Sequence, residues 1–157
     1  MSSPTGAAQR KRHLEVHESG HAIVGHSIGL TIGEPTANYQ GVVPVGVPDD
    51  MTEFQTAIGL ATFYAAGQAA EREMLGSAHP DFGERDREDI EALKERYPAL
   101  TGAIEAAVAN ADDAVKAHRD AIERLAKRLG TLPRVKAEEL KTRHLGGVGV
   151  QRPPTHP

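Results

Sequence analysis

The stretch HESGHAIVGHSIG, His17 to Gly29, sets two histidines four residues apart and runs from them straight into the apolar Ala22, Ile23 and Val24. Four residues is little more than one helical turn, so on a helix His17 and His21 stand one above the other on the same face. Two imidazoles so placed can reach one cation, and they supply two of the three protein ligands usual at a catalytic zinc. Glu18 is offset from a ligand's place, but it is positioned to hold a metal-bound water and to take its proton. A solvated, His-rich helix surface would use the same letters. The apolar continuation into Ile23 and Val24 argues instead for an internal site.

Other histidines add less. His13 extends the four-residue ladder but sits near the helix start, where a surface position is expected. His26 falls on the opposite side of the helix from His17 and His21. His79, His118, His144 and His156 have no partner pattern. Position 27, six residues after His21, is Ser27, so the long three-histidine motif of the metzincins is absent. A third ligand then has to be a carboxylate from further along the chain. Glu71, Asp86, Asp89, Asp112 and Asp113 all fall in helical stretches, and spacing does not choose among them.

Outward from the motif, a first helix is expected from near Lys11 to about Leu30, with residues 1–10 as a disordered start. Gly20, Gly25 and Gly29 are poor helix formers and point to close packing or metal access. Residues 31–50 carry several prolines and glycines, and Tyr39–Val47 is the one good strand candidate, placed at an edge or made irregular by Pro44. A second helix should run from Thr52 to Leu75 and stop at Gly76. A third should span Asp86 to Tyr97, ahead of Pro98. Ile104, Val108, Ala111, Val115, Ile122, Leu125 and Leu129 recur at helical spacing and suggest one long helix from Leu100 to Leu129. Pro133 would open a short final helix ending near Leu145, and residues 146–157 read as a flexible tail. The fold class is thus mainly α, a single compact domain over 11–145 with a small β element near 39–47.

With 157 residues there is room for one real core. Aromatics are only 4% and Trp is absent, so Ala, Leu, Val and Ile must fill it. The formal charge of −4 gives no basic field suited to nucleic acid. There is no cysteine, which excludes thiolate metal sites and cysteine nucleophiles. No apolar run approaches the roughly 18 residues that span a bilayer, and the N-terminus lacks a signal-like apolar stretch. Membrane insertion is not expected, and a cytoplasmic location is.

The segment from His17 to Gly29 resembles the active-site helix of the FtsH-type, membrane-bound ATP-dependent zinc proteases, which typically read HEAGHAIVG; Ser19 is the one departure in that stretch. GQAAEREMLG, Gly67 to Gly76, is similar to that family's GRAAEELIFG, and the two segments come in family order. The resemblance implies a helical zinc-metallopeptidase domain in which the third ligand is an Asp near the start of the next helix. Within GERDREDIEAL, Gly83 to Leu93, Asp89 matches the family's Asp-Ile-Glu letters, while Asp86 lies closer to the family's distance from the glycine; the resemblance favours Asp89. It implies that Glu71 orients a ligand, with a paired structural Glu on an amphipathic helix left equally open.

The activity implied by the resemblance is Zn²⁺-dependent hydrolysis of peptide bonds, with His17, His21 and Asp89 or Asp86 on the metal and Glu18 as general base. No Walker-type sequence occurs in these residues, so the expected substrates are peptides or unfolded protein segments, lying by analogy along Gln40 to Val47. The rival readings are a non-catalytic, metal-stabilised interaction module derived from a protease domain, and a metal-free helical scaffold. Oligomeric state is not legible.

Overall fold

The computed structural model describes residues 4–37 and 43–157. It is mainly helical. In chain order come α1 (Pro4–Ser27), β1 (Thr31–Ile32), β2 (Val45–Gly46), α2 (Glu53–Leu75), α3 (Glu84–Arg96), α4 (Thr101–Ala117), α5 (Arg119–Leu129) and a last short turn, α6 (Ala137–Glu139), which widens into a π-helical turn over Leu140–Leu145. No helix among the described residues is long and apolar enough to cross a membrane.

α1 is the central element. Every residue from Leu14 to Gly25 is buried, because α2 packs on one side of the helix and α5 on another. A helix enclosed in this way does not need a polar face, and polar residues inside it must find partners within the protein. The pairing of α1 with α2 is close. A Cβ placed on Gly20 would stand 2.6 Å from the Cβ of Ala70 and 2.7 Å from the carbonyl oxygen of Ala66. Gly20 together with Ala66 and Ala70 therefore lets the two backbones approach. Just beyond the end of α1 at Ser27, Gly29 takes a φ of 92° in the left-handed region, and the Leu30 N–H donates to the Gly25 carbonyl at 3.1 Å.

α2 has the boundaries its sequence suggests. Thr52 and Gln55 form a reciprocal capping box, and Gly76 closes the helix at φ 85°. The core around these helices is rich in alanine: Ala66, Ala69, Ala70, Ala111 and Ala126 pack with Val16, Ile23, Phe63, Ile122 and Leu125. A second cluster of Ala57, Ala61, Leu93, Ile104 and Ala107 joins α2, α3 and α4.

Five expectations need correction. α1 opens at Pro4 rather than near Lys11, so most of the stretch expected to be disordered is helical; Arg10 lies over the Phe82 ring at 4.9 Å and pairs with Asp81 at 3.5 Å. The long helix over 100–129 is broken at His118, where φ is −121° and ψ is 23°. α4 lies on α2 while α5 lies on α1, and one straight helix could not cover both. Pro133 is not at a helix start. Its carbonyl accepts from Ala37 N–H at 3.2 Å, and an isolated antiparallel bridge joins Thr36 to Arg134. The strand candidate is reduced to Val45–Gly46, paired antiparallel with Thr31–Ile32, a partner the sequence did not suggest; Tyr39, Gln40, Gly41 and Val42 lie outside the described residues.

The C-terminal segment is the fifth. It folds back, with Gln151 N–H donating to the Ser27 carbonyl at 2.8 Å and Gln55 Nε2 donating to the Pro153 carbonyl at 2.9 Å. Thr52 Oγ1 donates to the Thr155 carbonyl at 2.8 Å, and Arg152 pairs with both oxygens of Asp50 at 3.0 Å. These bonds tie the tail to the end of α1 and the start of α2.

Candidate metal centre

α1 holds His17 and His21 one turn apart, and both rings turn toward α3. His17 Nε2 and His21 Nε2 are 2.9 Å apart. Asp86, in the first turn of α3, brings Oδ2 to 3.0 Å from His17 Nε2 and 3.2 Å from His21 Nε2. Among the described residues this is the group of three side chains whose donor atoms converge closely enough to share a metal ion.

The outer nitrogens of the two rings define their tautomers. His17 Nδ1–H donates to Glu71 Oε2 at 2.7 Å, and His21 Nδ1–H donates to the Phe63 carbonyl at 2.7 Å. A carboxylate and a carbonyl only accept, so the proton of each neutral ring sits on Nδ1 and the lone pair of each Nε2 faces inward. Those two lone pairs and the Asp86 carboxylate then confront one another with no hydrogen between them. Such a triangle is repulsive unless a cation occupies its centre.

Its dimensions suit one. Bonds of the usual zinc–nitrogen and zinc–oxygen length at tetrahedral angles would separate neighbouring donors by roughly 3.3 Å. The observed edges of 2.9, 3.0 and 3.2 Å are slightly tighter than that figure. The donor set therefore fits a small divalent metal with one position left over.

Without a metal the same demand falls on a proton. Burial opposes a charge on His17, but hydrogen bonds to Asp86 and Glu71 and the negative charges of Glu18 and Asp86 outweigh it and push its pKa up to about 10. Burial likewise opposes ionisation of Asp86, yet the neighbouring His21 and His17 hold its carboxyl well below the ordinary range. Glu18, buried beside the triangle, has its pKa raised by burial against the pull of His21 and His17.

Glu71 is fully buried and is not one of the converging donors. One oxygen accepts from His17 Nδ1–H; the other accepts from His13 Nδ1 at 2.7 Å and from the His79 backbone N–H at 2.8 Å. This is the arrangement by which a carboxylate fixes a ligating imidazole. His13 thus lies half-buried behind Glu71, neither on the surface nor on the metal. Gly67 supplies the space: a Cβ there would stand 2.5 Å from His21 Nε2 and 2.6 Å from His17 Nε2.

No family model matches this chain, and no curated protein sequence matches it.

Of the two carboxylates weighed for the third position, Asp86 meets the imidazoles. Asp89, favoured by its letters, lies one turn further along α3 and lines the adjoining cleft of about 460 Å³ with Glu18, Tyr64 and Arg85. Asp112 is on α4, pairs with Arg72 at 3.2 Å and, like Asp113, is not part of the cluster. His26 and His118 are likewise apart from it. The Phe63 carbonyl, the His79 N–H and Phe82, whose ring centre is 6.1 Å from that of His17, complete the surroundings. Backbone groups leave no mark in a sequence. Gly67 did leave one, in the middle of an otherwise good helix.

Proposed function

We propose that the protein is a zinc-dependent peptidase acting on peptides or unfolded segments. The observation that carries this reading is the convergence of His17 Nε2, His21 Nε2 and Asp86 Oδ2 with a buried Glu18 beside them, open to a cleft. The likeness of HESGHAIVGHSIG and GQAAEREMLG to the FtsH-type proteases supports it from the side of sequence. A purely structural metal would not call for Glu18 at that position.

His17, His21 and Asp86 would hold the metal, with Glu71 and the Phe63 carbonyl orienting the rings. Zinc bound there supplies Lewis acidity, lowering the pKa of water toward neutrality and polarising a carbonyl. Glu18 takes the proton from the attacking water at a carboxylate oxygen and carries it to the leaving amine nitrogen. Burial, which raises its pKa, suits it to hold that proton between the two steps. Val43, Pro44 and Val45 line the cleft just before and within β2, where an extended peptide would lie.

Cleavage of an unstructured peptide by the zinc-loaded protein tests the proposal. Glu18→Gln should keep the metal and lose about 10²-fold or more in turnover. Full activity in that variant would rule out the mechanism.

A further inference from the structure

On α5, away from the metal centre, the chain concentrates positive charge. Arg124, Lys127, Arg128 and Arg143 surround a hollow of about 370 Å³ between α5 and the turn over Leu140–Leu145. Among the described residues Glu139 is the one carboxylate lining it, and it is already engaged: Arg128 Nε and Nη2 each reach it at 2.9 Å, and His144 Nε2 approaches at 3.4 Å. Among the described residues, Arg124, Lys127 and Arg143 have no ion-pair partner, and all three are exposed. A protein with a formal charge of −4 has acid enough to pair them and does not do so here.

His144 closes the inner wall of the hollow. It is buried there, and its Nδ1 has no hydrogen-bond partner. With Nε2–H turned to Glu139, which only accepts, that Nδ1 is a bare acceptor and takes no part in binding an anion. Burial pushes the His144 pKa down, against Glu139, whose hydrogen bond and charge outweigh the smaller opposing push of Arg124 and Arg128. The excess of positive charge around the hollow comes from Arg124, Lys127 and Arg143, which no carboxylate among the described residues balances.

We infer that this hollow binds an anion of the phosphate class. Guanidinium groups offer paired N–H donors that match phosphate oxygens, and Arg124 and Arg143 approach from opposite elements, α5 and the turn after α6. Four cations against one carboxylate favour a multiply charged oxyanion over a carboxylate or chloride. Anion binding here does not depend on the proposed peptidase activity.

The test is a titration of the zinc-loaded, isotope-labelled protein with inorganic phosphate, read from backbone amide shifts, with sodium chloride at matched ionic strength as control. Saturable shifts confined to α5 and to the Leu140–Leu145 turn are expected, weakened about tenfold or more in Arg124→Gln and in Arg143→Gln. Both side chains are exposed, so the variants should remain folded, and their unchanged zinc content separates this site from the metal centre. Shifts that chloride reproduces, that do not saturate, or that survive in both variants would overturn the inference. Pelleting with phosphatidylcholine vesicles that carry phosphatidic acid distinguishes the phosphate's source. Variant-sensitive pelleting assigns it to a lipid headgroup; no pelleting beside a positive titration assigns it to a soluble ligand.

Discussion

Glu71 stands directly behind His17, its Oε2 accepting a hydrogen bond from Nδ1–H at 2.7 Å while the opposite nitrogen faces His21 and Asp86. The carboxylate is fully buried and shared with His13 and the His79 N–H, so it is held from three sides. Its removal should weaken zinc binding although Glu71 does not touch the metal. For Glu71→Gln the expected loss is about 10–100-fold in affinity, measured by competition with a chromogenic chelator. An unchanged affinity would make Glu71 a structural residue only.

Gly67 tests the close approach of α2 to the site. Gly67→Ala puts a methyl group 2.5 Å from His21 Nε2 and 2.6 Å from His17 Nε2, and neither ring can retreat without losing its outer hydrogen bond. The helix itself gains from alanine by up to about 1 kcal/mol. The expected outcome is a protein that stays helical by circular dichroism but no longer holds a stoichiometric metal.

The charge balance predicts a pH dependence for the metal-free protein. His17 has a folded pKa of about 10, above its ordinary value of 6.5, so its proton is held more tightly in the folded state. That stabilisation is complete below about pH 6.5 and fades as pH rises toward 10. Asp86, held low, contributes above the ordinary carboxylate pKa, and its share is lost only on acidification. Thermal melts of the chelated protein should therefore show a falling Tm between pH 7 and pH 10. Zinc should flatten the trend, because the metal replaces the proton and adds its own binding free energy to the folded state.

The N-terminal cap of α2 gives a prediction independent of the metal. Thr52 accepts from Gln55 N–H at 3.1 Å and donates to the Thr155 carbonyl, joining the helix start to the C-terminal segment. Thr52→Ala should cost about 1 kcal/mol in denaturant unfolding. Zinc content should be unaffected.

Much of the fold was legible in the sequence, and the parts that were not share a cause. α2 could be read almost to the residue because its signals are local: a start at Thr52, where the structure forms a capping box with Gln55, and a stop at the left-handed Gly76. The pairing of His17 with His21 is also local, since helical spacing alone puts them together. Asp86 against Asp89 is not. The two lie three apart on one face of α3, and which of them meets the imidazoles depends on how far the loop over 77–83 advances that helix. The break at His118 has the same character, because unbroken apolar spacing hides the fact that α4 and α5 cover different partners. Pro133 fits a helix start and an extended bridge equally well, and only its pairing with the chain near Thr36 decides between them. His13 shares the ladder of His17 and His21, but its partner is a carboxylate more than fifty residues away.

The decisive measurement is the zinc content of purified protein beside His17→Ala, Asp86→Ala and Asp89→Ala, by elemental mass spectrometry. One zinc per chain is expected in the wild type, with its loss in the His17 and Asp86 variants and its retention when Asp89 is replaced. A wild type that is folded and still empty after zinc is supplied would refute the metal centre, and zinc that survives in Asp86→Ala would refute its third ligand.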